Sequence, residues 1–164
     1  AQTVREDQLA QMKALGILPT FFLDHIWFWG DYYYESILGP ERAERISPAG
    51  SAVTKGIPFT LHQDPPVKMP NPLLAIHNAV NRQTPKGRVL GKGQKISVME
   101  AIRGVTINGA YQYFEEGQKG SLEPGKYADL VILDRSPLRV STAQIKNIQV
   151  LETIKQGETL WKRS

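Results

Sequence analysis

At 164 residues the chain can bury one ordinary hydrophobic core. The absence of Cys excludes disulfides and thiolate metal ligands, and no run of 18 apolar residues is present to cross a membrane as a helix. The net charge of +4 comes from scattered Lys and Arg, with small groups only around 86–95 and at Lys162-Arg163, a pattern of a solvated surface rather than of a nucleic-acid interface.

In chain order, Val4, Leu9, Met12 and Leu15 recur at helical spacing over Thr3–Leu15, and Gly16 stops that helix. Ile17–Leu23 reads as a short buried strand with Pro19 near its start. The aromatic run Trp27–Tyr34 then falls where a loop is expected, and Gly39-Pro40 punctuates it. Glu41–Ile46 and Ala49–Lys55 read as helix interrupted at Pro48, and Ile57–Leu61 as the next strand, delivering His62 and Asp64 to its C-terminal end. Pro72 suits the first turn of a helix through Leu73, Ile76 and Val80. After a Gly- and Lys-rich loop, Ser97 with Glu100 forms a capping box for a helix reaching about Phe114. The pattern then turns to β: strands are expected over Ala128–Leu133 and Ile145–Ile154, with Gln156-Gly157 turning into Glu158–Lys162.

Two motifs go beyond generic patterning. Lys119–Asp134 combines Gly-Ser, Pro-Gly and Ala-Asp punctuation with an apolar strand, and Thr60-Leu-His-Gln-Asp-Pro-Pro-Val67 sets Asp64 before two prolines at a strand end. Both resemble signatures of the amidohydrolase superfamily, in particular its N-substituted formamide deformylase-like branch, in that family's order. The resemblance implies an α/β fold: the C-terminal part of a TIM-like (β/α)8 barrel over residues 1–118, then a piece of a small β-sandwich over 119–164. A full barrel takes about 250 residues, so a C-terminal portion of a larger enzyme is expected. The start at Ala1 without Met fits that expectation, and no signal peptide is visible. A cytoplasmic location is the favoured expectation.

The same resemblance implies an enzyme hydrolysing a non-peptide carbon–nitrogen bond of a small amide-type substrate, with a divalent metal, zinc first among them. Asp64 would bind the metal and shuttle a proton; the alternative for an Asp before prolines is a local turn. His62, two residues earlier on the same side of the strand, is read either as a substrate contact or as a histidine bonded within the barrel. His25 is read either as a metal ligand or as a loop histidine. Trp27 and Trp29 are the aromatic candidates for a substrate wall, with packing or a subunit contact as the alternative. His77, within a helix, reads as a core-edge residue. Gly120, Gly125 and Asp129 carry the C-terminal signature with a structural role.

Only three His are present and none forms His-x-His, so the chain by itself is expected to bind metal poorly and to be inactive. A second reading, from a different class, is a non-catalytic piece that self-associates through exposed barrel edges, giving a homo-oligomer. No membrane or nucleic-acid partner is expected.

Overall fold

The computed structural model describes residues 1–164 and is mixed α/β. Helix α1 (Glu6–Ala14) carries Glu6 and Asp7 in its first turn and Lys13 in its last, matching the helix dipole, and buries Leu9. Strand β1 (Thr20–Phe21) leads directly into α2 (Asp24–Tyr32), which continues as one π turn, Tyr33–Ile37. Two short helices, α3 (Gly39–Ala43) and α4 (Ala49–Thr54), return the chain to β2 (Thr60–Leu61). β1 and β2 run parallel, Thr20 opposite Thr60 and Phe21 opposite Leu61. The Thr60 and His62 amides donate to the Pro19 and Phe21 carbonyls, both at 3.1 Å. This βαβ step sets the C-terminal ends of both strands side by side.

Helix α5 (Pro72–Asn81) follows, with Pro72 in its first turn and the Asn71 side chain capping the Leu74 amide at 3.0 Å. The Ser97–Glu100 capping box starts α6 (Val98–Val105) as expected. α6 ends at Thr106, whose hydroxyl bonds back to the Ile102 carbonyl at 2.7 Å, and α7 (Ile107–Gln112) resumes. At the C-terminus β3 (Leu130–Leu133), β4 (Val150–Lys155) and β5 (Glu158–Lys162) form an antiparallel sheet in that order. Gly120, at φ +92°, fits where a Cβ would sit 2.7 Å from the Ala110 Cβ.

Three expectations are corrected here. The aromatic run is helix, not loop: Ile26 and Gly30, four residues apart, both face the interior. Ile145–Asn147 belong to a 3-10 turn (Thr142–Asn147) rather than a strand, because fully buried Ile145 docks against α5. Ile17–Leu23 and Ile57–Leu61 contribute only two ladder residues each, since β1 and β2 pair with nothing but one another.

Phe21, Leu23, Ile26, Phe59 and Ile76 lie in one buried cluster that also takes in Ile145 and Ile148 from the C-terminal segment. The Phe21 and Phe59 rings meet at 5.6 Å between centroids across the strand pair. A buried guanidinium ties down the opposite flank. Arg82, 0% exposed, donates from Nε to the Leu90 carbonyl (2.7 Å), from Nη1 to Ser47 (3.0 Å) and from Nη2 to Ile46 (2.7 Å). Burial lowers its pKa to about 10, partly offset by Glu44, so it stays protonated at neutral pH. Gly91 lies against this clamp, where a Cβ would come within 2.4 Å of the Glu44 carbonyl oxygen.

His77, 5% exposed, joins α5 to the C-terminal segment: its Nδ1 lies 3.2 Å from the Thr142 carbonyl, which also accepts from Asn81 Nδ2 at 2.9 Å. Desolvation lowers its pKa, the Thr142 carbonyl opposes that, and nearby Lys146 adds to it. A histidine held below its unfolded pKa takes up its proton more readily when unfolded. Stability should therefore fall as pH drops below about 6.5, by at most about 1.4 kcal/mol per pH unit from this residue. Urea unfolding at pH 7.5 and 5.5 is expected to show a smaller pH difference in His77→Gln than in the parent chain.

Candidate active site

The parallel pairing brings His25, in the first turn of α2, and His62 and Asp64, just past β2, to the same end of the strand pair. The Phe22 ring sits between the two imidazoles, 4.3 Å from His25 and 5.2 Å from His62 between centroids. Asp64 is exposed and takes a left-handed backbone, φ +52°, a conformation Asp tolerates better than most residues. The Val67 amide closes a turn onto its carbonyl at 2.8 Å.

Both imidazoles are held below the usual histidine range. Desolvation is the main cause for each; the proximity of His62 lowers His25 further, while the Asp64 carboxylate pulls both back up. At neutral pH both rings are therefore neutral, the form that offers a lone pair. His25 Nδ1 is buried and makes no hydrogen bond.

Every fourth residue along α2 continues this face. Trp29 and Tyr33 set their rings edge-on to His25 at 5.3 and 6.0 Å. Trp27, two positions before Trp29, points about 200° away around the helix, and its ring lies under Lys146 Nζ at 5.1 Å. The two tryptophans named from sequence thus part company: Trp29 belongs to the wall beside His25, and Trp27 engages the C-terminal segment.

Asp24 lies beneath this mouth, 1% exposed, one carboxylate oxygen accepting from Lys68 Nζ and the other from Asn78 Nδ2. Lys68 belongs to the loop that carries Asp64, and Asn78 to α5. The ends of the same loop are joined by Gln63 and Asn71: the Asn71 amide donates to Gln63 Oε1 at 2.6 Å, and Gln63 Nε2 donates to the Asn71 carbonyl.

Barrel enzymes build their active sites at the C-terminal ends of parallel strands, where this acidic residue and the two imidazoles stand, and comparison with known proteins decides the family. The amidohydrolase family model matches residues 1–161. The chain belongs to the amidohydrolase family. It is 30% identical over 138 residues to the N-substituted formamide deformylase of Arthrobacter pascens, covering 83% of this chain and 25% of that protein. It is 39% identical over 72 residues to the imidazolonepropionase of Syntrophobacter fumaroxidans, covering 44% of this chain and 16% of that one. Among solved structures, a metal-dependent hydrolase from Pyrococcus horikoshii OT3 superposes with a TM-score of 0.74 at 29% identity, over 87% of this chain and 29% of that one. One from Pyrococcus furiosus gives 0.70, also at 29% identity, over 85% and 28%. The amidohydrolase chain spans about a quarter of the length of the first curated relatives it matches.

As a complete metal shell the residues of this amidohydrolase chain do not suffice: no three His, Cys, Asp or Glu side chains stand close enough to enclose one ion. The nitrogen and oxygen donors at this end of the strand pair are His25, whose buried Nδ1 makes no hydrogen bond, and exposed Asp64. Sequence reasoning grouped Tyr33 with the other aromatics of 27–34 without setting it beside His25, and missed Lys68 and Asn78 as partners of Asp24. The i, i+4, i+8 recurrence of His25, Trp29 and Tyr33 held the first of these; nothing in the sequence joins positions 24, 68 and 78.

Proposed function

We propose that this chain is the C-terminal portion of a metal-dependent amidohydrolase that hydrolyses a non-peptide carbon–nitrogen bond of a small amide-type substrate. The observation that carries the reading is the Asp64 carboxylate at the C-terminal end of a parallel strand, beside two neutral imidazoles, in a chain of this family. On this reading residues 1–118 complete a barrel and 119–164 supply strands to a β-sandwich.

A divalent ion, zinc first by the family resemblance, would polarise the carbonyl and acidify water when bound, with most of its ligands supplied from outside these 164 residues. Asp64 and His25 would contribute to its hold. The Asp64 carboxylate accepts a proton from the attacking water and returns it to the departing nitrogen, a role that calls for an exposed acceptor at the strand end. His62 and the Trp29 edge line the side from which the substrate approaches, and the apolar wall excludes water from the acyl group.

Full-length protein assayed with N-substituted formamides should turn over, lose activity on chelation and regain it with Zn²⁺. Activity that survives exhaustive chelation would count against the reading. The 164-residue chain alone should retain less than about a tenth of an equivalent of zinc after dialysis, for want of ligands. Stoichiometric tight zinc with turnover would contradict that expectation.

A second reading rests on the outer edges of β1 and β2, which pair with no further strand. Parallel sheets are ordinarily buried and closed by neighbours, so the isolated chain should associate. Light scattering that returns a monomer at high concentration would remove that reading.

A further inference from the structure

We propose that Lys68 is a positioning residue for Asp64: by pairing with the buried Asp24 it fixes the β2–α5 loop so that the Asp64 carboxylate stays over the strand ends. This rests on the reading of Asp64 as the proton-transferring group. The loop runs from His62 to Asn71 and has little apolar anchorage of its own, with Val67 exposed and Met69 85% exposed. What holds it is polar. Gln63 and Asn71 close its ends, and Lys68, its side chain only 7% exposed, reaches Asp24.

The placement of Asp24 gives the pair its consequence. Asp24 is the residue before His25, so one buried carboxylate ties the helix turn bearing His25 to the loop bearing Asp64, and Asn78 braces it from α5. A charge buried this deeply is tolerated only when paired and hydrogen-bonded. Lys68 is therefore the loop residue that answers a charge the core cannot leave alone, and Asp64, four positions earlier beyond a tight turn, has its backbone set by the same fastening. Small displacements of a proton-transfer group are costly in rate, on the order of a hundredfold for 1 Å.

Two measurements test this. Hydrogen–deuterium exchange on the full-length protein should show the amides of 62–71 exchanging at least about tenfold faster in Lys68→Met, with α1 and α4 unchanged. In the full-length protein Lys68→Met should lower kcat at least about tenfold with KM within about threefold. Lys68→Arg should keep most of kcat. The double variant Asp24→Leu/Lys68→Met, free of an unpaired charge, should recover thermal stability but not kcat. Unchanged loop exchange in Lys68→Met would overturn the proposal, as would full recovery of kcat in the double variant, which would make the pair merely structural. Asp64→Asn is the control on the reading beneath: if it keeps wild-type kcat, or if the parent hydrolyses nothing, that reading fails, and the exchange measurement still decides whether Lys68 fastens the loop.

Discussion

Asp64→Asn in the full-length protein is expected to lower kcat by about a hundred- to ten-thousandfold, the usual worth of a positioned acid–base group, while leaving thermal stability within about 0.5 kcal/mol. The two halves of that expectation have separate causes. Asn keeps the shape and tolerates the left-handed backbone at φ +52°, and the side chain is exposed, so the fold has little to lose. It cannot accept a proton from water, so on the proposed mechanism the reaction loses its shuttle. Steady-state kinetics alongside a urea unfolding curve separates the two. A variant that loses activity only in proportion to lost stability would assign Asp64 to the turn through Pro65-Pro66.

Arg82→Met should have the largest effect on stability, about 3–5 kcal/mol, lowering Tm by roughly 10 °C or more. The guanidinium answers three carbonyls from two separate segments, Ile46, Ser47 and Leu90. A methionine of similar length fills the volume but leaves the Ile46 and Leu90 carbonyls without a donor and Ser47 with only the Ala49 amide, each orphaned buried acceptor costing about 1–3 kcal/mol if water cannot reach it. Glu44 would also lose its nearby positive charge. Arg82→Lys should fall in between, because one ammonium cannot reproduce a planar fork bonding in three directions. Denaturant titration of both variants, with circular dichroism to establish that they fold, would show this order. Equal stability of Arg82→Met and the parent would mean that water satisfies those carbonyls.

The features legible in the sequence were those set by short-range chemistry. Ser97 with Glu100 announced one helix start and Pro72 another, and both helices formed there, the first with its capping box and the second with an Asn71 cap that the structure adds. His62 and Asp64 could be placed just past a strand by the apolar run before them, but the strand period ends at Leu61 and Asp64 turns left-handed at φ +52°. The helix α2 was harder, because Trp27-Phe-Trp at consecutive positions erases the apolar–polar contrast from which a helical period is read. The buried pair of Ile26 and Gly30 becomes visible only once Thr84 and Leu90 are known to press against the glycine. Arg82 and Lys68 were harder still. Each is a cation in a polar stretch, where a solvated side chain is the natural reading, and each is buried because acceptors from distant segments converge on it. Such convergence is a property of the fold, and single-sequence patterning does not carry it.

The most direct test is the crystal structure of the full-length protein grown with zinc, the ion located by its anomalous scattering. The account predicts a peak about 2.0–2.2 Å from an Asp64 carboxylate oxygen, at the C-terminal end of β2 and on the side of the strand pair that carries His25. An ion bound elsewhere, with the Asp64 carboxylate turned to solvent, would contradict it.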